Sequence, residues 1–326
     1  MKKILALLLV LILFAACGQA PTPPAPPTQD PTPEIEIEGE GFTVGYIINN
    51  FGDTFQNFIY QAMRSYAEEN GVIVVSAEAN EDIARQLAEV ENMLVLGVDA
   101  LIVVPVDTEA MEPITNLVRE RGIPLVYVNR NPFAGAEDQM PEGVFYVGSR
   151  ELDAGIMQVE YIAPMLGGQG GVAILQGILA TEAAVTRTRG NVETLAAQFP
   201  DINVLAMETA EWQTDLAVTV TENWITAYGD QLNAILSNND DMALGAIRAL
   251  QMAGREDVLV MGIDGNPNAL EAIVAGDLMG SVFQDAVGQG QGSMRAALNA
   301  LNGIAQDSVL WIPFQLITAD NVADFM

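Results

Sequence analysis

The sequence predicts an α/β protein with two doubly wound parallel sheets, one in each of two lobes. Short runs rich in Val and Ile, with little polar alternation, recur along the chain, which is typical of parallel strands buried on both faces. An amphipathic stretch follows almost every run, and this strand–helix–strand order indicates an α/β fold. The runs are too many for one open, twisted sheet, so two sheets are expected.

The predicted elements lie in the globular part of the chain, from residue 42 onward. Several helix candidates begin with Asp, Glu or Asn and end near a glycine such as Gly71, Gly97 or Gly254, which are helix start and stop signals. The predicted strands span residues 43–48, 72–76, 100–106, 124–129, 143–147, 172–176, 203–207, 234–237, 258–263 and 279–283. The predicted helices span residues 55–69, 81–96, 109–121, 151–166, 182–198, 214–227, 240–253 and 266–275.

The amino terminus, residues 1–17, has the features of a secretory signal. Two lysines precede an apolar run at residues 4–14, and small residues stand before Cys17, the only cysteine of the chain. The run is shorter than the roughly 20 residues that a transmembrane helix needs. Residues 14–17 resemble a bacterial lipobox, which implies a lipidated Cys17 at the mature amino terminus. A plain signal peptide with a chance cysteine is the alternative.

A tether is predicted at residues 18–40, which are rich in Pro, Thr and Glu. Such a composition cannot bury a core and favours polyproline II, with a reach of roughly 70 Å at about 3.1 Å per residue. We expect it to space the globular part from the membrane, and a tail without a role is the alternative. The predicted location is extracytoplasmic, with a lipid anchor in the cell membrane.

The residue types that are missing exclude most catalytic chemistry. The chain has no histidine, and after removal of the signal it has no lysine and no cysteine besides Cys17. Without histidine the chain cannot form a Ser-His-Asp or Cys-His nucleophile. Without lysine it cannot form a P-loop or a pyridoxal Schiff base. Zinc or copper sites built on imidazole or thiolate are excluded as well. Carboxylate chemistry, oxygen-ligated calcium or magnesium, or binding without chemistry remain.

The net charge of −30 excludes most anionic partners. An acidic surface repels nucleic acid and anionic headgroups, so no nucleic-acid partner is expected. The charge favours a soluble secreted protein with a neutral ligand. General acidity of the source organism's proteins is the alternative explanation.

Polar and aromatic residues follow the predicted strands, where ligands of open α/β sheets bind. Carboxylates and amides pair with hydroxyl groups, Arg bridges neighbouring oxygens, and ring faces cover C–H surfaces, so this supply predicts a polyhydroxylated ligand. Each hydrogen bond to a charged group contributes roughly 1.5–3 kcal/mol, enough for affinity without catalysis. The stretches are residues 49–55, 129–132, 176–189, 208–212, 238–241, 264–266 and 284–285.

Single residues in these stretches also have purely structural explanations, and their shared placement after strands is what favours a site. The alternatives are helix capping for Asn239 and Asp240, a turn for Asp264, core packing for Trp212, a hydrophobic helix-start position for Phe55, and an ion pair on a solvated face between Arg187 and Glu193 or another acid.

Four stretches, at residues 145–149, 209–214, 237–246 and 261–264, carry a family resemblance. Their order and spacing resemble the periplasmic sugar-binding proteins of ABC transporters, the ribose/galactose-binding group, and the likeness spans residues 42–325. Within that group the chain is most similar to the galactose/glucose-binding proteins.

The resemblance implies a type I periplasmic binding fold with a hinge of three segments near Gly148, Gln284 and residues 311–313. One lobe is expected to hold residues 41–148 plus 285–311, and the other residues 149–284 plus 312–326. The lobes would close around the ligand like a hinge.

The family's sugar-binding positions imply the site residues of this chain. Phe55 and Trp212 would sandwich the sugar ring, and Arg130 stands where relatives carry a basic residue. Arg189 is the alternative to Arg187 if the register shifts there. The implied ligand-binding residues are Asp53, Phe55, Asn129, Arg130, Arg187, Trp212, Asn239, Asp264 and Gln284.

Departures from the galactose/glucose pattern are also visible. Thr181 and Ala183 replace a histidine and an aspartate that contact the sugar, and Gln284 is the choice of the ribose binders. Specificity is therefore expected to differ from galactose or glucose. Residues 167–171 contain no carboxylate where the relative has its calcium loop, so no metal and no cofactor are expected.

The implied function is that of an extracytoplasmic substrate-binding lipoprotein of an ABC sugar importer. It would bind a monosaccharide, galactose/glucose-like or related, and deliver it to the permease membrane subunits as a monomer, without enzyme activity. The first alternative is a sugar-sensing component for a chemoreceptor or histidine kinase.

Two further alternatives are weaker. A glycoside hydrolase would need paired carboxylates across a cleft, for which Asp53 with Asp264 or Asp240 with Asp264 are the candidates. A transcriptional regulator of the same fold is opposed by the acidic charge, and we see no DNA-binding segment before residue 42.

Overall fold

The computed structural model describes residues 41–326. The predicted signal peptide, Cys17 and the predicted tether lie outside the described residues. Within residues 41–326 the chain forms two six-stranded sheets flanked by helices, one sheet in each of two lobes. The two-lobed parallel α/β architecture predicted from the sequence is confirmed.

The first sheet and its helices are built mainly from the amino-terminal half. Short 3-10 turns lie at Thr108–Ala110 and Glu137–Gln139. The elements are β1 (Thr43–Ile48), α1 (Thr54–Glu69), β2 (Ile73–Glu78), α2 (Ile83–Leu96), β3 (Ala100–Val103), α3 (Glu112–Glu120), β4 (Leu125–Val128) and β5 (Val144–Gly148).

The remaining elements build the second sheet and complete the first. They are α4 (Glu151–Met165), β6 (Gly170–Gln176), α5 (Glu182–Gln198), β7 (Ile202–Thr209), α6 (Thr214–Tyr228), β8 (Ala234–Ser237), α7 (Asp240–Ala253), β9 (Leu259–Asp264), α8 (Pro267–Ala275), β10 (Gly280–Phe283), α9 (Ala286–Leu301), β11 (Val309–Trp311) and β12 (Gln315–Thr318).

The two sheets have matching strand orders. The first runs β11-β5-β4-β3-β1-β2 and the second β12-β10-β9-β8-β6-β7. All neighbours are parallel except β12, which runs antiparallel to β10. In each sheet the first strand along the chain lies inside, and the order reverses beside it, at β1 and β6. The carboxyl ends at such a reversal form a crevice that can hold a ligand.

The chain passes between the sheets three times, after β5, after β10 and after β11. Helix α9 returns to the first lobe, where Met294, Ala297 and Leu298 pack against the strands of the first sheet. Two buried clusters lie in each lobe, one on each face of its sheet. The division into units that move separately, at the residue boundaries given above, stays a prediction.

The predicted strands and helices are all present, with ends shifted by a few residues. The stop signals at Gly97 and Gly254 are confirmed, because both cap their helices in the left-handed conformation, at φ of 78° and 67°.

Sequence reasoning missed β11, β12 and α9. Three glycines in the first half of α9 lower its intrinsic helix propensity. The structure explains one of them, because a Cβ atom on Gly290 would collide with the carbonyl oxygen of Ile59 in α1. Close packing of the two helices therefore selects glycine where local propensity opposes it. Among the described residues no helix is long and apolar enough to cross a bilayer.

Candidate functional site

A small cavity lies between the two lobes, at the carboxyl ends of the strands. All ligand-binding residues predicted from the sequence line it, together with Gln56 and Ala183, which were not predicted. The lining residues are Asp53, Phe55, Gln56, Asn129, Arg130, Ala183, Arg187, Trp212, Asn239, Asp264 and Gln284. The structure thus brings the predicted residues together, and their contact with a ligand stays a prediction.

Asp53 lies in the loop after β1 and caps α1. Its Oδ1 accepts a hydrogen bond from the Gln56 backbone nitrogen at 3.1 Å. Arg130 approaches it at 3.9 Å and is itself fixed by Glu81 Oε2 at 3.3 Å and the Pro105 carbonyl at 3.0 Å. Burial raises the pKa of Asp53, and the Arg130 charge opposes this. Arg130 therefore places a positive charge beside Asp53 at the wall of the cavity.

Arg187, on α5, is the centre of the second lobe's wall. Its Nε donates to Glu151 at 2.5 Å, one terminal nitrogen donates to the Asn238 carbonyl at 2.6 Å, and the other donates to Gln284 at 3.1 Å. Asp264 lies 3.9 Å away. Arg187 does pair with an acid, but that acid is Glu151 rather than Glu193, and the pair is not on a solvated face, because Arg187 is only 3% exposed.

The structure also distinguishes Arg187 from Arg189, the alternative for a shifted register. Arg187 lines the small cavity, whereas Arg189 is exposed and lines a separate interlobe cavity of about 690 Å³. That larger cavity is bordered by Thr108, whose amide donates to the Ala180 carbonyl at 3.1 Å and whose hydroxyl accepts from the Glu182 amide at 3.1 Å. These bonds join the two lobes directly.

Trp212 and Phe55 supply the aromatic surface. Phe55 is 7% exposed and packs into the core of the first lobe. The Trp212 ring covers Gly177 so closely that a Cβ atom there would collide with it. Both residues also pack into the cores of their lobes, as the alternative for Trp212 predicted, so each combines core contact with a place on the cavity wall.

The helix-capping alternative holds for Asn239 but not for Asp240. Asn239 caps α7 by accepting from the Met242 amide at 3.0 Å, and it lines the cavity as well. Asp240 does not line the cavity. Its oxygens accept from the Ser281 hydroxyl at 2.7 Å and from the amides of Gly265 and Asn266 at 2.8 and 2.9 Å. Asp240 therefore shapes the loop that carries Asp264.

Strained backbone concentrates around the cavity. Asn129, Trp212 and Asp264 have φ of 68°, 66° and 131°, and residues other than glycine rarely adopt such positive values. Such strain persists only where surrounding contacts impose it, and it clusters at functional sites. Here one contact is the Tyr146 hydroxyl, which donates to the Asn129 carbonyl at 2.8 Å.

Both arginines of the site are paired with acidic side chains. Arg130 and Arg187 each contact two carboxylates, and the four acids are Asp53, Glu81, Glu151 and Asp264. Burial raises the pKa of Glu151 and raises that of Asp264 well above its usual range, while Arg187 opposes both shifts. The cavity is rich in acceptors and disfavours an anionic ligand.

Sequence reasoning missed Gln56 and Glu151. Glu151 opens α4 shortly after β5 ends at Gly148, so its position after a strand was a visible signal. Gln56 stands one turn after Asp53, on the same face of α1. Its role depends on Asn129, to which its amide nitrogen donates at 2.6 Å, and nothing local reveals that contact.

One of the two carboxylate pairs considered for hydrolysis is not available at the cavity. Asp240, a partner in one imagined catalytic pair, is fully buried and committed to the loop after β9. Within residues 41–326 no group of three or more acidic, histidine or cysteine side chains is placed to hold a metal ion. The geometry instead suits recognition of hydroxyl groups by fixed acceptors, donors and rings.

A model of the periplasmic binding protein domain matches residues 44–305. The chain belongs to this family. A putative rhizopine-binding protein of Rhizobium meliloti is 41% identical to this periplasmic binding protein, over 87% of the chain and 92% of the relative. A xylitol-binding protein of Mycolicibacterium smegmatis is 36% identical, over 80% of the chain and 73% of the relative.

A solved structure agrees with this placement. An ABC transporter solute-binding protein from Bacillus halodurans C-125 with bound myo-inositol is 36% identical, with a TM-score of 0.80 over 88% of this chain and 98% of that one. The predicted resemblance to sugar-binding proteins of ABC transporters is therefore confirmed. The periplasmic binding protein is of the extracytoplasmic, sugar- or polyol-binding class, whose members bind substrates and are not enzymes.

Proposed function

We propose that this protein is the substrate-binding lipoprotein of an ABC sugar importer, which traps a neutral monosaccharide or cyclic polyol between its lobes and delivers it to the permease. The observation that carries the proposal is that residues from both lobes, chosen from the sequence, line one cavity. Asp53, Asn129 and Arg130 face Arg187 and Asp264 across it.

The mechanism follows from that two-sided wall. The ligand first binds the open form, in which it contacts only one lobe. Its contacts with the second lobe then favour closure. The ligand can favour closure only by the difference in its affinity for the two forms. Direct contacts between the lobes, such as the hydrogen bond from Thr108 to Ala180, also stabilise the closed form. The lobes would pivot on the three crossings, at the boundaries proposed above, and the closed shape would be read by the permease.

The ligand is proposed to be a neutral polyol, with myo-inositol as the first probe. An acceptor-rich cavity whose two arginines are already paired with acids suits hydroxyl donors. Ala183 offers no polar group to the cavity, and the Thr181 hydroxyl is occupied by the Ile178 carbonyl at 2.7 Å. The polar contacts that the galactose pattern would place at these positions are therefore missing. The 36% identical neighbour holds myo-inositol, which supports a cyclic polyol.

Attachment to the membrane is proposed through a lipid on Cys17, followed by the tether at residues 18–40. The support is the sequence pattern alone. Such an anchor would keep the binding protein, proposed to be a monomer, within reach of membrane-embedded permease subunits.

Titration calorimetry of the soluble part against myo-inositol, xylitol, D-ribose, D-galactose and D-glucose tests the proposal. We expect micromolar or tighter binding of at least one of these, with myo-inositol ahead of D-galactose. Small-angle scattering should show a more compact particle with the bound ligand. No binding of any of the five, at millimolar concentrations, would refute the proposed function.

A further inference from the structure

A line of buried hydrogen bonds connects the cavity to the crossings between the lobes. Gln56 Nε2 donates to Asn129 Oδ1 at 2.6 Å, Asn129 Nδ2 donates to Gln289 Oε1 at 3.1 Å, and Gln289 Nε2 donates to Ser149 Oγ at 3.3 Å. All four residues are at most 4% exposed. We name Gln56, Asn129, Gln289 and Ser149 the amide relay.

The cavity end of the amide relay is incomplete. Gln56 lines the cavity, and its buried Oε1 has no hydrogen-bond partner among the described residues. Trp212 lines the same cavity, and its buried Nε1 is likewise without a partner within residues 41–326. Buried polar groups are nearly always paired, because leaving one unpaired costs free energy. One free acceptor and one free donor suit the hydroxyl groups of a polyol.

The other end of the amide relay lies on the crossings. Ser149 follows Gly148, the last residue of β5, where the chain first leaves the first sheet. Gln289 lies in the first turn of α9, directly after the second crossing, and its backbone nitrogen donates to the Asp285 carbonyl at 3.0 Å. The relay is thus attached to both of these segments.

The orientation of the side-chain amides in the amide relay determines which hydrogen-bonding group faces the cavity. A side-chain amide has a donor end and an acceptor end, so the orientation of one member decides that of the next. Gln289 accepts from the Asn129 nitrogen, which turns the Asn129 oxygen toward Gln56. The nitrogen of Gln56 is then engaged, and its oxygen is left for the cavity.

We propose that Gln56 is a ligand-contact residue whose Oε1 accepts a hydrogen bond from a ligand hydroxyl, and that Gln289 is a positioning residue that fixes this acceptor through Asn129 without touching the ligand. The inference rests on the proposed function and extends it to a residue outside the cavity. It also makes the polyol contact depend on the segments about which the lobes would pivot.

A double-mutant cycle on the full soluble chain tests the proposal, with the tightest binder among myo-inositol, xylitol, D-ribose, D-galactose and D-glucose as the probe. Gln56→Leu should weaken binding about tenfold, because it removes the acceptor, and Gln289→Leu about three- to tenfold, because it removes the bond that orients this acceptor through Asn129. The double variant should bind no more weakly than Gln56→Leu alone, because Gln289 acts through Gln56.

Two further variants separate positioning from general damage. Gln289→Glu should bind within about threefold of the parent protein, because a carboxylate still accepts from Asn129 and Ser149 can donate to it. Thr115→Val removes a different buried hydrogen bond in the same lobe, to Tyr127 at 2.8 Å, and should lower the melting temperature without changing affinity. If Gln289→Leu does not fold, Gln289→Met replaces it in the cycle.

The outcomes are distinguishable. If the parent protein binds a sugar and the losses from Gln56→Leu and Gln289→Leu simply add, the positioning role is refuted while the proposed function stands. Unchanged affinity in Gln56→Leu refutes the ligand contact. If the parent protein binds none of the five compounds, the proposed function fails and this role fails with it.

Discussion

The buried carboxyl group of Asp240 is expected to make the protein more stable in mild acid than at neutral pH. Burial raises the pKa of Asp240 to about 7, against the lowering effect of its bonds to Ser281, Asn266 and Gly265. Because the folded-state pKa is raised, the folded protein holds more protons than the unfolded chain between about pH 4 and 7. The free energy of unfolding should therefore fall as the pH rises through this window.

The size of the effect follows from the shift. A raise from 3.8 to about 7 is about three pKa units, and at about 1.4 kcal/mol per unit the loss is at most about 4 kcal/mol. Asp240→Asn removes the titrating group and keeps its bonds. The Asn oxygen can accept from the amides of Gly265 and Asn266, while its nitrogen donates to the Ser281 hydroxyl, which can accept as well as donate.

Urea unfolding of both proteins, followed by circular dichroism at pH 4.5, 5.5, 6.5 and 7.5, measures the effect. The parent protein should lose stability toward pH 7.5, and Asp240→Asn should lose clearly less and be the more stable protein there. Asp257→Asn is the control, since Asp257 is exposed and bonded to Arg255, which lowers its pKa out of this window. A parent protein that gains stability toward pH 7.5, or an Asp240→Asn variant with an unchanged slope, would refute the reasoning.

Three further predictions concern affinity, anchoring and packing. Asp264→Ala and Trp212→Ala should each weaken sugar binding at least tenfold in calorimetry, because each removes a wall of the cavity; parent-like titrations for both would discredit the site. Cys17→Ser should move the protein from the membrane fraction to the soluble fraction, and continued membrane association would rule out the lipid anchor. Gly290→Ala should cost about 1–3 kcal/mol of stability in thermal unfolding, because its Cβ would collide with the Ile59 carbonyl, and an unchanged melting temperature would contradict the close approach of α9 to α1.

The elements of the fold were predictable where local pattern and packing agree. The strands at residues 43–48 and 234–237 have the predicted bounds, because continuous Val and Ile runs have few other uses in a soluble domain. Helix α9 shows the limit. Judged from its sequence neighbours alone, Gly290 disfavours a helix, and only the close contact with Ile59 explains why a glycine stands there.

The candidate site was predictable in its residue types and less so in its contacts. Strand ends pointed to Asp53, Asn129 and Asp264, since parallel strands bring their carboxyl ends to one edge. The contact of Glu151 with Gln284 joins residues 133 positions apart, and that of Gln289 with Asn129 joins residues 160 apart. Contacts of such separation leave no mark in local sequence.

The sequence by itself determined the two-sheet α/β class, the absence of histidine and thiol chemistry from the globular part, and the kinds of side chain available for a polyol. Only the tertiary structure decided that Arg187 rather than Arg189 enters the cavity, that Asp240 supports a loop, and that Gln56 and Gln289 belong to one relay. The physical reason is that secondary structure follows short-range periodicity, whereas burial, ion pairing and amide orientation are fixed by neighbours that the chain brings together only when it folds.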